Sequence, residues 1–518
     1  MKHVLAVVGA GQAAEPILKK AKEMNIETIA FGGKDSIAKS LADIFIPVSI
    51  FDVNTMKSEC KRLHVNGVIA SSEITTKSAA ELANELDLPG NKCTPYFICN
   101  NKYLMRECVN KVTQVKQPKY YLYDDKDIKD FPIMVKAVDS CGKQGISLVS
   151  CEEELQQALL EAKEASLTGE ILIEGYLDGG NEYSIECISD GQDTYVVQIT
   201  DKVTSGPPYF TEIAHHQPAN LTKKFREKIN VAAKEIIQAV GITCGMAHLE
   251  LKIINDDIYF IEVGARGGGD HIADKLTVMS TDFDYYKEAI KCSLGIFQPK
   301  DINTIAYTGI YYYTMENKHL NKLFQISKNE NWCVESNINT KHFKNARGNV
   351  EINNQGYFIY KSDHRISITD VPLDYFEVVK INSFDNAYHL VWNFNKKIGR
   401  QLSDKELKNG IIKFIENGNL LAVLDNNEII ALLNVYCNNN KTQEAYICNV
   451  YVLKEYRGIG IAKKLVNKAI ELVKKNNFKK IVLHVDITNV KAIQLYEKLD
   501  FKVAKEDDNN QLKMVRDI

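Results

Sequence analysis

Residues 246–270, MAHLELKIINDDIYFIEVGARGGGD, carry charged groups at the spacing of two antiparallel strands. HLELKII alternates, with Leu249, Leu251 and Ile253 on one face and His248, Glu250 and Lys252 on the other. IYFIEV alternates too, so Phe260 and Glu262 share a face, and Asn255, Asp256 and Asp257 between the runs are turn residues. A turn centred on Asp256 sets Glu250 opposite Glu262. Their Cβ atoms then lie about 4.5–5.5 Å apart, where like charges destabilise a strand pair. A divalent cation removes the conflict, and two carboxylates with phosphate oxygens are a usual Mg²⁺ set. An exposed hairpin bearing two solvated glutamates is the alternative. Arg266 and the glycines 267–269 follow at once, a cation and a closely approachable backbone suited to anionic oxygens.

The elements that must position these groups begin at HVLAVVGAGQAAEPILKKAK, residues 3–22, where an apolar run ends in Gly9-Ala10-Gly11 and an amphipathic helix follows. Gly9, Gly11 and Ala14 fit a dinucleotide-binding turn, which also needs an acidic residue after the second strand. The second strand, 26–31, is followed by Gly32-Gly33, and Asp35 is the nearest acid. A nicotinamide site is therefore disfavoured. Residues 1–100 alternate strand and helix, with helices expected over 12–24 and 35–42, and read as a small parallel α/β domain. From 101 the strands lengthen around helices expected over 151–165 and 222–239, and 300–372 reads as an accessory lobe.

With 518 residues, the chain is expected to form about three or four domains. A net charge of −3 gives no electrostatic reason to expect nucleic acid or an anionic membrane. No apolar run reaches the roughly 18 residues of a membrane span, and the apolar start reads as a first strand and not a signal peptide. The 12 cysteines show no C-x-x-C pair or zinc spacing, so reduced, mostly buried thiols and a cytoplasmic location are expected.

Over most of residues 1–300 the sequence resembles the ATP-grasp superfamily, whose motifs occur in order. Lys102 in NNKYLMRE and Lys136 in PIMVKAVDSCGKQG match the nucleotide-contacting lysines, and SCGKQG (140–145), with Gly142, Lys143 and Gly145, matches the mobile loop over the phosphates. ILIEGYLDGGNEYSIE matches the hinge strand, where the resemblance implies that Glu174, Tyr176 and Leu177 border adenine and Glu182 holds the ribose. Glu250 and Glu262 match the metal-binding acids, for Mg²⁺ or Mn²⁺, and Arg266 the catalytic arginine beside the transferred phosphate. Many members carry Asn where Gly264 stands, which leaves the number of metal ions open. The opening turn then resembles the superfamily's first domain, on the acceptor-substrate side. GPPYFTEIAHHQPANL (206–221) resembles the L-amino acid ligase group, and the superfamily includes carbamoyl-phosphate-synthase-like members. That implies His215 or His216 facing the substrate pocket, with Arg266 as a carboxylate clamp, or else two histidines in a surface loop. Phosphoryl transfer needs positioning and charge neutralisation more than covalent help. The implied reaction passes through an acyl phosphate that an amine attacks, giving an amide, ADP and phosphate.

A second signal runs from 445 to 504. A strand leads to Arg457, Gly458, Gly460 and Ala462 at the start of a helix whose apolar face is Ile461, Leu465, Val466, Ala469 and Leu472. Free backbone N–H groups at a helix N-terminus suit a pyrophosphate. Over residues 376–518 the sequence resembles the GNAT acetyltransferases. R-x-x-G-x-A matches their coenzyme A loop, Val450 to Val452 the strand that pairs with the pantetheine arm, and NVKAIQLYEKLDF the helix with Asn489 and Tyr496. The resemblance makes Tyr496 the general acid for the leaving thiolate, with core packing of that ring as the alternative. Asp500 stands where the family commonly has Gly, and the sequence offers no clear general base.

The expected architecture is thus a multidomain α/β and α+β chain. It comprises a pre-ATP-grasp α/β domain (1–100), an ATP-grasp domain (101–299), an accessory lobe (300–372) and a mixed α/β GNAT domain (376–518), with a break near Pro372. The expected cofactors are ATP, Mg²⁺ or Mn²⁺, and acetyl-CoA. The expected partners are amino acid or carboxylate substrates, without nucleic acid or membrane, and a homodimer is admitted. Three readings stay open: a bifunctional ligase and acetyltransferase, a ligase whose GNAT domain senses acetyl-CoA or supports an interface, and a binding module with both sites degenerate.

Overall fold

The computed structural model describes residues 3–91, 100–125, 127–140, 142–208, 210–314, 316–338, 356–425, 427–507 and 510–518. Cys141 in the expected phosphate loop, Tyr209 in the 206–221 segment and part of the expected accessory lobe lie outside them. The chain divides into two compact units, Met1–Tyr312 with Asn331–Arg365, and Tyr313–Glu330 with Ile366–Ile518. The stretch read as an accessory lobe is thus shared between them. No helix among the described residues is long and apolar enough to cross a membrane. None of the described cysteines is paired, and Cys60, Cys187 and Cys292 are buried while Cys448 is exposed.

The first unit opens with four parallel strands, β1 (Val4–Val8), β2 (Glu27–Gly32), β3 (Ile44–Pro47) and β4 (Gly67–Ala70), in the order β3-β2-β1-β4. β1 and β2 are almost wholly buried, as their near-continuous apolar sequences require when helices cover a parallel sheet. After β1 the chain turns at Gly9, φ +97°, where a Cβ would stand 2.3 Å from Ser71 Oγ. Only glycine lets this turn approach the loop after β4. The helix expected over 12–24 is a 3₁₀ turn followed by Glu15–Glu23, with Pro16 in its first turn. The helix expected over 35–42 is corrected to a 3₁₀ segment, Ile37–Leu41, of which Ala38 alone is buried. Five residues with one buried side chain cannot offset the cost of nucleating an α-helix.

Next comes a small antiparallel sheet of β5 (Tyr120–Leu122), β6 (Ile133–Ala137), β7 (Ile146–Val149) and β8 (Ile171–Gly175), in the order β5-β8-β6-β7, on which helix Glu152–Ala165 packs. The large sheet holds β9 (Asn181–Asp190), β10 (Thr194–Thr204), β11 (Glu212–Gln217), β12 (Cys244–Ile254), β13 (Asp257–Gly264), β14 (Tyr307–Tyr312), β15 (Cys333–Ile338) and β16 (Gly356–Ser362). Its order is β13-β12-β9-β10-β11-β14-β16-β15. Helix Lys223–Val240 lays Ile229, Ala233, Ile236 and Ile237 on one face of this sheet, against Leu249, Leu251 and Phe260. On the opposite face Ile188, Val197 and Met246 pack against Phe283, Tyr285 and Ala289, and the polar side chains Glu250, Lys252 and Lys202 line a cleft.

The second unit contains a seven-stranded sheet: β17 (Val378–Ile381), β18 (Asn419–Asp425), β19 (Glu428–Tyr436), β20 (Glu444–Val452), β21 (Lys480–Asp486), β22 (Lys502–Asp507) and β23 (Gln511–Asp517), ordered β17-β18-β19-β20-β21-β23-β22. β20 and β21 are parallel and pair only over Glu444–Ile447 with Lys480–Leu483. Beyond Ile447 their ladder stops, which frees the backbone of the remaining β20 residues on that side. Segment Tyr313–Glu330 joins this unit through Lys322, whose ammonium stands 3.8 Å from the buried Asp425 carboxylate and over the Phe376 ring.

Candidate functional site

β12 meets β13 as the alternation predicts, and Glu250 pairs with Glu262. The expected turn is corrected, however. Asn255 and Asp256, at φ +47° and +70°, form a two-residue turn between Ile254 and Asp257, and the register shifts between Glu250 and Leu251. Ile261 is the extra residue of the resulting bulge. A one-residue shift exchanges the faces of a strand. Phe260 therefore enters the apolar core while Glu262 turns the other way, so the two do not share a face. His248, Glu250, Lys252 and Glu262 all reach one cleft of about 1320 Å³.

Several elements of the first unit line this cleft. The turn after β1 contributes Gln12 and Ala13, the loop after β4 Ser71 to Glu73, β6 Lys136, and the residues after β8 Tyr176 and Leu177. Gly142 and Lys143, both at left-handed φ, hold the β6–β7 loop over it. The Lys143 ammonium donates to Phe210 O (2.6 Å) and Glu212 (2.7 Å), which latches that loop to the 206–212 segment. Gly145 is not on the wall; it packs against the helix Glu152–Ala165, where a Cβ would stand 2.6 Å from Ala165. Lys102 lies behind the wall, its Nζ donating to Ser140 O at 2.6 Å, and burial lowers its pKa despite the opposing charge of Glu262.

Glu174 lies on the wall with its carboxylate fully engaged by Arg106 (2.6 Å) and Lys136 (2.7 Å). Burial opposes its ionisation, but these two cations hold it down to about 2. The Lys252 ammonium donates to Leu177 O at 2.9 Å and stands 3.5 Å from Glu182. It thus ties the hinge to the strand that carries Glu250.

Glu250 is the charge centre. Lys202 donates to its Oε1 at 2.6 Å and His248 Nε2 lies 3.4 Å away, while His248 Nδ1 meets the buried Glu186 at 2.5 Å. Burial disfavours charge on Glu250, yet Lys202 and His248 hold its carboxyl well below the usual range. Burial likewise opposes a charged His248, and Glu186 and Glu250 override it, lifting the imidazole to about 9. The stability of this ion pair is full below pH 6.5, the ordinary histidine value, and is lost as pH rises through about 9. Wild-type melting temperature should therefore fall across that window more steeply than that of His248→Gln, as parallel thermal melts would show.

Glu262 forms no ion pair among the described residues and faces the cleft opposite Glu250. No group of three or more His, Cys, Asp or Glu among the described residues is placed to hold a metal by itself, so two facing carboxylates fit an ion that completes its shell with phosphate oxygens and water. Arg266 pairs through Nε with Glu73 and through Nη1 with Gly267 O (2.9 Å). A Cβ at Gly264 would stand 3.2 Å from the Glu73 carboxylate, so glycine there makes room for that pair.

His215 and His216 are neighbours on β11, not loop residues, and neighbours on a strand face opposite ways. His215 enters the cleft; its ring nitrogens lack a hydrogen bond among the described residues, and Nε2 lies 3.9 Å from Asp270. His216 is corrected: it packs away from the cleft, with Nδ1 2.9 Å from the Tyr360 hydroxyl and its ring against Tyr311. Sequence reasoning missed Glu73, Lys202, Glu186 and the pairing role of His248. Of these only His248 carried a signal, its place in the alternation with Glu250.

In the second unit Gly458 and Gly460 adopt φ +90° and +99°, and Gly460 caps helix Ile461–Lys475. Arg457 donates back to Val452 O at 3.1 Å, and Ala462 lies in the first helical turn. Leu373 packs at Gly460, and Lys464 donates to Leu373 O at 2.9 Å. Val450 and Val452 pair with Leu433 and Ala431 on β19, on the side away from the missing β21 ladder. Asn489 caps helix Val490–Glu497 by accepting from Ala492 N (3.2 Å). Tyr496 is buried beside Phe501, 5.8 Å between centroids, and burial pushes its hydroxyl up to about 12.

A model of the ATP-grasp domain matches residues 129–274, and one of the acetyltransferase (GNAT) family matches 384–501. The chain joins an ATP-grasp domain to a GNAT domain. The two domains together indicate an enzyme. The chain is 27% identical over 137 residues to the carbamoyl phosphate synthase large chain of Campylobacter jejuni, a match that spans 26% of this chain and only 12% of that one. It is 20% identical over 341 residues to the formate-dependent phosphoribosylglycinamide formyltransferase of Prochlorococcus marinus, 62% of this chain and 84% of that one. In fold it is similar to the L-amino acid ligase from Bacillus licheniformis, with a TM-score of 0.59 and 20% identity over 70% of this chain and 94% of that one.

Proposed function

We propose that the ATP-grasp cleft joins a carboxylate to an amine, with an amino acid among the substrates, through an acyl phosphate, and that the GNAT domain acetylates an amine of the substrate or product. The observation that carries the first half is the convergence of Lys136, Glu250, Glu262, Arg266 and His215 on one cleft. Lys136 and the β6–β7 loop bind the nucleotide phosphates, Glu250 and Glu262 would hold Mg²⁺, and Lys202 with His248 fixes the Glu250 carboxylate. Mg²⁺ bound there would supply neutralisation of the charge that develops on the transferred phosphoryl group. Arg266, oriented by Glu73, faces the acyl phosphate, and Asp270 beside His215 supplies a polar wall for the substrate. The carboxylate oxygen bonds to γ-phosphorus as the bond to ADP breaks. The amine then displaces phosphate from the acyl carbon and gives up a proton.

In the GNAT domain the unpaired backbone of β20 takes the pantetheine arm, and the loop at Gly458 and Gly460 takes the pyrophosphate. The amine nitrogen bonds to the acetyl carbon, the C–S bond breaks, and the proton that nitrogen sheds is matched by one that Tyr496 gives to sulfur. A hydroxyl raised to about 12 keeps that proton at neutral pH. Amino acid pairs screened with ATP and acetyl-CoA, read by ADP release, thiol release and product mass, test both halves. ADP release without an amide, or no release from any pair, would count against the ligase half. Gly460→Val, at φ +99°, strains the loop and crowds the pyrophosphate. It is expected to abolish the thermal shift with acetyl-CoA while ADP release persists.

A further inference from the structure

Helices Phe384–Lys397 and Asp404–Asn417 cover a second, smaller cleft against β18, β19 and β20. Asn434 on β19 stands at its floor, 2% exposed, and its Oδ1 has no hydrogen-bond partner among the described residues. A buried amide oxygen left unpaired costs about 1–3 kcal/mol, so such an atom calls for a donor. Asn434 pairs directly with Asn449, at the point where the β19–β20 register shifts and Cys448 is left as the extra residue. The cleft therefore opens beside the β20 residues whose other edge lacks a strand partner.

The walls decide what kind of donor fits. Phe394, Leu407, Ile411 and Phe414 are apolar, and the Phe414 ring is backed by Tyr436 in a tilted contact at 5.9 Å. Arg400, between the two helices, is exposed at the mouth and makes no ion pair among the described residues. The two acids nearest in sequence are already engaged: Asp404 pairs with Lys408 at 2.7 Å and accepts from the Tyr388 hydroxyl, and Glu406 accepts from Ser403 N at 2.9 Å and Ser403 Oγ at 2.6 Å as a helix cap. Burial raises the Cys448 thiol against the opposing charges of Arg400 and Lys413. At the Arg400 end of the cleft a ligand's cation meets repulsion, whereas a carboxylate meets a guanidinium that has no ion pair among the described residues.

Resting on the acetyltransferase reading above, we infer that the acetyl acceptor is an α-amino acid with an apolar side chain, its nitrogen donating to Asn434 Oδ1, its carboxylate on Arg400 and its side chain among Phe394, Ile411 and Phe414. The same chemistry is offered by a free amino acid and by the N-terminal residue of a short peptide product, except that the peptide's carboxylate lies farther from its amine.

The intact chain, with acetyl-CoA and without ATP, is offered L-leucine, leucyl-leucine, isoamylamine and spermidine, and thiol release is followed. Leucine or the dipeptide is expected to have the lowest KM, and whichever is lower identifies the source. Arg400→Ala, at an exposed position, is expected to raise that KM by about 10- to 100-fold, the range for a lost charge-assisted hydrogen bond, and to leave isoamylamine unchanged. Asn434→Leu should raise KM for both amines. Preference for spermidine, or an Arg400→Ala effect equal on leucine and isoamylamine, would overturn the inference and leave the acetyltransferase reading standing. If no amine releases thiol, dialysis of labelled leucine and labelled leucyl-leucine with coenzyme A separates the two: binding abolished by Arg400→Ala upholds the site against the acetyltransferase reading. If neither ligand shows binding sensitive to Arg400, the inference falls.

Discussion

Glu262→Gln is expected to lower ATP turnover by about a hundredfold to a thousandfold, the range for losing one preorganised charge at a reacting group, while the fold persists. Glu262 is the acid of the pair with no cation bound to it among the described residues, so its charge is the one left for a divalent ion. Glutamine keeps the shape and removes the charge. Glu250→Gln should cost ATP turnover comparably, and it should also perturb stability, because Lys202 and His248 lose the carboxylate that balances them. Steady-state ADP release across Mg²⁺ concentrations, with a thermal melt of each variant, separates the effects. Near-full Mg²⁺-dependent activity in Glu262→Gln would remove this carboxylate from the site.

The second large effect is expected in stability. Glu174→Leu leaves Arg106, 2% exposed, and Lys136 without their shared carboxylate inside the protein. Breaking a buried pair from one side typically costs roughly 3–5 kcal/mol, because an uncompensated charge stays buried. Glu174→Leu is therefore expected to unfold at clearly lower urea concentration, and Glu174→Gln, which keeps an acceptor for Arg106, to lie between it and wild type. The linkage has a sign of its own. The carboxyl is held at about 2 against an ordinary 4.5, so its contribution is full above pH 4.5 and disappears as pH falls toward 2. A leucine variant as stable as wild type at neutral pH would mean that the two cations find other partners.

How far the site could be read from the sequence varies residue by residue, for physical reasons. The pairing of Glu250 with Glu262 followed from alternation and turn residues, which are local. The bulge at Ile261 did not, because a two-residue turn plus one extra residue gives the same pair as the wider turn expected. The exchange of faces between Phe260 and Glu262 was invisible for that reason. The choice between His215 and His216 needed the strand's orientation, which adjacent positions cannot supply. Glu73 and Lys202 reach the cleft, and Glu186 backs His248 from beneath it, from β strands and loops distant in sequence, and nothing in their neighbours marks them. The α/β opening was legible in its buried strands, whereas the short 35–42 segment had too little apolar surface to hold a helix. In the GNAT domain the glycine loop stood out, and Asn434 did not, since a single amide in an apolar strand acquires meaning only through what faces it.

The path of the chain between the two units has a consequence for how this fusion can be taken apart. The polypeptide changes unit after Tyr312, after Glu330 and again after Arg365. A cut at the compositional break near Pro372 therefore strands eighteen residues, 313–330, on the wrong fragment. The C-terminal piece keeps Asp425 but loses Lys322, and Phe376, if retained, loses the ammonium above its ring. The two halves are threaded together and not strung end to end. No single crossover can exchange one unit for a homologue without tearing the other, so a swap that preserves both must carry 313–330 along with its distant partner, as two inserts in one gene.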